Sequence, residues 1–338
     1  MRTQGDVVVI GAGLAGLSVA YELARRGRPV RLIEAREGVA LETSFANGGM
    51  MTPSMADPWN APGVGRRLAA SLFDPRAAVK LRLSAVPSLA GWGLTFLRNS
   101  APARHRASTI AAYRLADYSR TATLDLRERL DLTFDSSSRG TMKIFRARGA
   151  FEEQCSLARM LRVEGLRHEE LDAEGALRVE PLLAPVRGAI VGALHYPDDE
   201  TGDAHLFCRA LADRFAVAGG RFEAGVSVRG FDLSGSRIIG VRTDSGVITA
   251  ADVILAAGAA SRSLLTPLRL NLAIRPAKGY SLTFPPGAVP ALPGVPVVDE
   301  ALHAAVVPLG ERLRVVGFAE FAGDDRSIHP GRIDHLMD

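Results

Sequence analysis

Residues 6–34, DVVVIGAGLAGLSVAYELARRGRPVRLIE, constrain this chain more than any other stretch. An apolar strand runs through Gly11-x-Gly13-x-x-Gly16 into a helix with Leu17, Tyr21 and Ala24 on one face. A second strand follows and closes on Glu34. The pattern predicts a strand over 6–10, a helix over 14–26 and a strand over 30–35, with Gly27 as a left-handed cap. Each glycine has its own mechanical reason. Gly11 permits the tight turn out of the strand, Gly13 lets the backbone approach a pyrophosphate, and Gly16 lets the helix pack close to the sheet. The helix N-terminus offers backbone N–H groups and a partial positive charge to phosphates. Glu34 falls eighteen residues after Gly16, where a carboxylate accepts hydrogen bonds from an adenosine ribose. Together these features imply a dinucleotide cofactor and leave its kind open.

A length of 338 residues with 47% hydrophobic side chains suits two globular domains. Cys155 and Cys208 are too few for a disulfide framework and form no C-x-x-C pair, which points to a reducing, cytoplasmic compartment. The glycines interrupt the apolar start at fingerprint spacing, so it does not read as a signal peptide, and no apolar run reaches the ~18 residues a bilayer span needs. Net charge is +4, but residues 66–129 hold twelve Lys and Arg against four acids, a local +8. Sparse aromatic interleaving argues against nucleic acid. Two readings stay open for this window: a solvated helical face, and a surface for anionic lipid at the inner face of the plasma membrane.

Residues 40–63 are rich in Gly, Pro, Ser and Asn and read as a long ordered loop. Helical patterns continue to about residue 130, with Leu89, Trp92 and Phe96 on a core-facing stripe. A strand over 141–146 and a helix over 151–164 follow, and Asp203 is placed to cap the helix after HYPDDETGD. VSVRGFDL and RIIGVRT form an antiparallel meander that feeds 247–261 as one strand. YSLTF, VPVVD, HAAVVPL and RLRVVGFAEF predict a further antiparallel sheet. The fold class is α/β: a Rossmann-like domain with a βαβ start and a meander, and a second α+β domain on a mostly antiparallel sheet.

The stretches VVIGAGLAGLSVAYELARRG, ALETSFANGGMMTPSMADPWNAPG, LADYSR, YPDDETGDAHLF, KGYSLTF and RLRVVGFAEF spread over nearly the whole chain. By them the sequence resembles the FAD-dependent amino-acid oxidase superfamily, and within it the bacterial D-amino-acid dehydrogenase small-subunit family. The resemblance implies FAD as cofactor, an FAD-binding domain over 1–65 and 200–264, and a substrate domain over 66–199 and 265–338. Ile10, Gly11, Ala12, Gly13, Leu14, Ala15 and Gly16 would hold the pyrophosphate, and Glu34, Ala35 and Arg36 the ribose. Thr43, Ser44, Asn47, Gly48, Gly49 and Met50 match the segment that runs beneath the phosphates toward the isoalloxazine ring. Val228 matches the position that recognises the adenine edge. Ala256, Ala257 and Gly258 match a strand end close to the cofactor. Met50, Met51, Lys278 and Tyr280 are candidate pocket residues.

The implied reaction moves hydride from the α-carbon of a D-amino acid such as D-alanine to the flavin. Water then hydrolyses the imine to a 2-oxo acid and ammonia, and a quinone-type acceptor takes the electrons. No acid–base pair is needed if the amine binds neutral, so Asp198, Asp199, Glu200 and Asp203 are assigned to turns and caps. His195 and His205 complete no metal-ligand spacing. Alternatives within the superfamily are a glycine or sarcosine oxidase and a hydroxyproline-type dehydrogenase; outside catalysis, the alternative is a silent flavin-binding protein. The family pattern continues past the place of Asp338 with an Arg–Pro-x-x-Pro-x-Gly segment and a Gly-rich turn, which supply the arginine for the substrate carboxylate. The expectation is therefore a substrate domain incomplete at its C-terminal end, and a cofactor domain that lacks a strand and leaves a sheet edge exposed.

Overall fold

The structure is a computed structural model that describes residues 5–71 and 77–337. Asp74 and Arg76 of the basic window lie outside the described residues. In chain order the strands are β1 (Val7–Ile10), β2 (Val30–Ile33), β3 (Met50–Met51), β4 (Val79–Leu81), β5 (Thr141–Phe145), β6 (Glu169–Leu171), β7 (Gly192–Tyr196), β8 (Glu200–Thr201) and β9 (Arg221–Glu223). Then come β10 (Val228–Ser234), β11 (Arg237–Thr243), β12 (Gly246–Thr249), β13 (Asp252–Leu255), β14 (Lys278–Phe284), β15 (Val297–Asp299), β16 (Ala304–Leu309) and β17 (Arg312–Phe321). The helices are α1 (Leu14–Ala24), α2 (Val64–Ser71), α3 (Val86–Arg98), α4 (Pro102–Leu130), α5 (Arg148–Leu161), α6 (Ala173–Val179), α7 (Ala204–Val217), α8 (Ser261–Leu265) and α9 (Pro330–Met337). The chain divides into two compact units. One comprises Met1–Asn47, Arg127–Phe134 and Asp203–Ile274, the other Gly48–Leu126, Asp135–Gly202 and Arg275–Asp338.

The first unit is built on a parallel sheet in the order β13-β1-β2-β9. All four residues of β1 are buried, as expected of a strand covered on both faces. Helix α1 turns Leu17, Ala20, Tyr21 and Ala24 inward at steps of three and four and packs beside α7. The meander β10-β11-β12 contributes Phe231, Val241 and Ile248 to one cluster with Val8, Ile10 and Ile33. Gly27 takes φ +74, the left-handed cap the sequence calls for, although α1 itself ends at Ala24. The stretch 247–261, expected as one strand, is two. The chain leaves the meander after Thr249; Ala250 N–H donates to Ile239, Ala251 N–H to Asp6, and β13 then joins the parallel sheet.

The second unit is organised by an eight-stranded mixed sheet in the order β14-β17-β16-β15-β5-β7-β6, with β4 also on β17. Most pairings are antiparallel, while β15–β5 and β17–β4 are parallel. Period-two alternation decides what each face of β5 meets. Met142 and Ile144 join Ala176 of α6 in one cluster, whereas Phe145 joins Cys155, Ala158 and Leu161 of α5 in another. The stripe on α3 is as expected: Leu89 is buried against Phe321, and the Trp92 ring lies 5.6 Å from that of Phe321.

Candidate functional site

In the first unit the glycine-rich turn is a cradle lined by backbone. Gly11 has φ +100, and a Cβ there would lie 2.6 Å from Ala256 O. A Cβ on Gly16 would lie 1.8 Å from Gly11 O, so β1, α1 and the end of β13 close on one another without side chains. Gly13 differs: its Cβ position meets only Ser44 Oγ, at 3.3 Å. Gly13 gives α1 no side-chain cap, and the first turn carries no acid. Ser44 Oγ accepts from Leu14 N–H at 3.2 Å, and Ala40 N–H donates to Ala12 O at 3.0 Å, so the loop after β2 is tied to the turn.

Glu34 stands at the centre of this arrangement, half-buried. Its Oε2 accepts from Ala12 N–H at 2.7 Å and its Oε1 from Arg36 N–H at 3.0 Å. Each oxygen keeps a lone pair for a further donor. Val226 N–H donates to Glu34 O and Gly225 N–H to Arg36 O, which carries Val228 to the same end of the sheet. Ala256 N–H donates to Ile10 O, placing Ala256, Ala257 and Gly258 beside the turn. Ala35, Arg36 and Thr43 are exposed. The Arg36 guanidinium pairs with Glu42.

In the second unit, β3 and β8 form a ladder that pairs Met50 with Thr201 and Met51 with Glu200. Gly49, at φ +64, fits where a Cβ would meet Leu309 Cδ2 at 3.0 Å, and its carbonyl accepts from Gly202 N–H at 2.8 Å. Met50 packs on Ala305, Val307 and Leu309, the inner face of β16. The Thr201 hydroxyl, buried opposite Met50, has no hydrogen-bond partner among the described residues.

The ladder is anchored by Asp199, which sequence reasoning assigned to a turn. Asp199 is 2% exposed and accepts from the hydroxyls of Ser54 and Thr141, the latter at 2.6 Å. Pro53, Tyr113, Asp117, Arg120, Arg167 and Asp198 surround it in a cleft of about 120 Å³. Arg120 pairs with Asp117 and Arg167 with Asp198, so neither forms an ion pair with Asp199. Burial pushes the Asp199 carboxyl up to about 6 against the Ser54 and Thr141 hydrogen bonds. With its folded value raised, the native state holds the extra proton between pH ~4 and ~6, and stability from this group falls as pH rises through that window. Asp199→Asn removes the titration. Relative to wild type, the variant should gain about 3 kcal/mol between pH ~4 and ~7, measured by urea unfolding at both values. A constant gap would refute the raised carboxyl.

Lys278 and Tyr280, the other candidate pocket residues, meet in a buried polar cluster on β14 and β17. Its hub is Glu320, fully buried, which accepts from Arg332 Nε at 2.9 Å, from Arg82 Nη2 at 3.1 Å and from Tyr280 OH at 3.4 Å. Lys278 Nζ lies 3.7 Å from the same carboxylate and also donates to Ser327 O at 2.8 Å. Burial pushes the Glu320 carboxyl up, but hydrogen bonds from Arg332 and Arg82 outweigh it and hold the group below the usual carboxylate range.

The family of FAD dependent oxidoreductases matches residues 6–338. This chain belongs to that family. It is 38% identical over 326 residues to a D-amino acid dehydrogenase of Phenylobacterium zucineum, covering 96% of this chain and 76% of that one. A D-amino acid dehydrogenase of Rhizobium johnstonii is likewise 38% identical, over 94% of this chain and 76% of its own length. Among solved structures, the fold is similar to that of glycine oxidase from Geobacillus kaustophilus, with a TM-score of 0.72 at 22% identity over 98% of this chain and 76% of that one.

The residues present fit the FAD of this oxidoreductase family. The two glycine positions that backbone fills, Gly11 and Gly16, close the turn, and the position left open, Gly13, is the one a pyrophosphate must approach. A first turn without acid suits an anion. The Glu34 carboxylate is held by two backbone N–H groups with acceptor capacity to spare. Sequence spacing found this constellation. It did not find the partners of Asp199 and Glu320, which are distant in the chain.

Proposed function

We propose that this flavoenzyme is a dehydrogenase of D-amino acids, D-alanine among them, releasing the 2-oxo acid and ammonia and passing electrons to a quinone-type acceptor. The likeness over nearly the whole chain to two proteins named D-amino acid dehydrogenase carries the reading. The first unit is the FAD-binding domain and the second the substrate domain. When bound, FAD supplies a two-electron sink for the hydride leaving the substrate α-carbon.

The chain's own residues bind and orient. The backbone from Ile10 to Gly16 holds the pyrophosphate at the head of α1, Glu34 with Ala35 and Arg36 the ribose, and Val228 the adenine edge. Thr43, Ser44, Asn47, Gly48 and Gly49 lead toward the ring, and Ala256, Ala257 and Gly258 flank the cofactor. Met50 and Met51 line the substrate side with apolar thioethers that exclude water. Lys278 and Tyr280, held by the Glu320 cluster on β14, are the other candidate pocket residues. The enzyme works on the cytoplasmic side of the plasma membrane.

With FAD loaded and oxygen removed, D-alanine should bleach the visible flavin band, L-alanine should not, and an artificial dye should be reduced faster than oxygen. Bleaching by glycine or sarcosine with brisk oxygen uptake would replace the reading with an oxidase. A bound flavin that no amino acid bleaches would leave a silent flavoprotein.

A further inference from the structure

Helix α3 has two apolar faces, and only one of them is buried, although Leu97 on the outer face also approaches Gly65 of α2. Ala85, Leu89, Trp92 and Phe96 face Phe321 and the sheet. Val86, Ala90, Leu94 and Leu97 recur at steps of four, four and three along a second stripe, and all four are exposed, Leu94 at 71%. Leu83, which opens the 3-10 turn leading into the helix, is 72% exposed. Residues recurring at that spacing share one side of a helix, so the leucines form a continuous apolar ridge open to water. The thirteen-residue α3 carries no charge before Arg98. A soluble helix normally turns its charges outward where this one turns leucine.

The flanks indicate what covers the ridge. Residues 75–116 contain no Asp or Glu, while Lys80, Arg82, Arg98, Arg104, Arg106 and Arg114 fall among them. Arg104 Nη1 donates to Arg98 O at 3.4 Å, which brings a second guanidinium to the C-terminal end of α3. Arg82 is tied to Glu320, but Arg98, Arg104 and Arg106 are exposed. Arg114 is paired with Glu164, which leaves Arg98, Arg104 and Arg106 as the cations that border the ridge, and an apolar ridge with such a border matches the two layers of an anionic bilayer surface, acyl chains below and phosphates above. At thirteen residues α3 is too short to span, so it would lie in the plane of the interface.

We propose that the outer stripe of α3 docks the enzyme on an anionic lipid bilayer, with Leu83, Leu94 and Leu97 entering the acyl region and Arg98, Arg104 and Arg106 meeting the headgroups. The proposal rests on the membrane-side reading above and names the surface that serves it.

The test is cosedimentation of the FAD-loaded full chain with phosphatidylcholine vesicles containing or lacking phosphatidylserine. Wild type should bind the anionic vesicles, and raising salt from about 0.1 M to about 0.5 M should weaken binding. Leu94→Gln with Leu97→Gln should weaken it by about tenfold or more, whereas Leu115→Gln, an exposed leucine on α4, should not. A second readout does not depend on the double variant folding. Leu94→Cys can be labelled with an environment-sensitive dye because Cys155 and Cys208 are buried, and its emission should shift to the blue on anionic vesicles. If wild type binds and neither the double variant nor the dye responds, α3 is not the docking surface and membrane association stands by another route. If wild type ignores vesicles, both ideas fall. A dimer that the double variant dissolves, without lipid binding, would replace the bilayer with a second copy of the chain.

Discussion

Gly16→Ala is expected to cripple FAD retention, because one methyl group has nowhere to go. Its Cβ would sit 1.8 Å from Gly11 O and 3.2 Å from Ala256 Cβ. The near contact is backbone, which cannot rotate away as a side-chain tip can. Gly11 cannot yield either, since the space beside it is taken by Ala256 O at 2.6 Å from its own Cβ position. The head of α1 must therefore move off the strands, taking its first-turn N–H groups with it. Overpacking of this kind costs about 1–3 kcal/mol and more where backbone is the obstacle. A lost hydrogen bond to a charged phosphate costs about 1.5–3 kcal/mol, so FAD affinity should drop about tenfold or more. Gly27→Ala is the internal control. Gly27 is left-handed at φ +74, but nothing lies within 4 Å of its Cβ position, so only conformational strain of about 1 kcal/mol is expected. Urea unfolding and flavin-fluorescence titration of both variants decide the matter. Equal FAD affinity in Gly16→Ala and wild type would refute the interlocked turn.

How far such positions could be read from sequence depended on how local their causes are. The crossover β1-α1-β2 and its glycines were legible because turn, helix head and carboxylate lie within one short segment, each with a spacing rule. The cap at Asp203 was legible for the same reason: its Oδ1 accepts from His205 and Leu206 N–H, two and three residues on. What could not be read is pairing at a distance. Strand β13 lies against β1 from the far end of the unit, and the two alanines that move the chain between sheets carry no turn signal. Strand β4 was hidden in a window of helical pattern, and β6, β8 and β9 are too short for alternation to show. The outer stripe of α3 was present in the letters, but a helix with one convincing core face hides the second until burial is known. Lys278 and Tyr280 were placed near a pocket face by resemblance; the structure gives both a partner in Glu320, forty and more residues away.

That partner produces the other large effect. Glu320→Leu should destabilise the second unit by about 3–5 kcal/mol, because it strands buried cations whose counter-charge has been removed. Arg332 is 4% exposed, with its guanidinium carbon 4.6 Å from the centre of the Phe318 ring and its Nη1 donating to Ala77 O at 2.9 Å. It cannot reach water without lifting α9 from β17. Arg82, just beyond β4, would lose both of its 3.1 Å contacts to the carboxylate. Removing the charge together with its most buried partner should therefore cost less than removing the charge alone. Glu320→Leu with Arg332→Met should recover part of the loss, as replacing a buried pair by apolar groups of similar volume often does. The pH dependence separates a charge effect from a packing effect. The folded carboxyl is held below its unfolded value, so its stabilisation is present above pH ~4.5 and is lost as pH falls through the depressed folded value, opposite in sign to Asp199. The advantage of wild type over Glu320→Gln should accordingly be large at pH ~7 and shrink in acid. Urea midpoints at the two pH values test this. An advantage that stays constant would mean the cluster holds by shape alone, and a Glu320→Leu protein within about 1 kcal/mol of wild type would mean the cations find other partners.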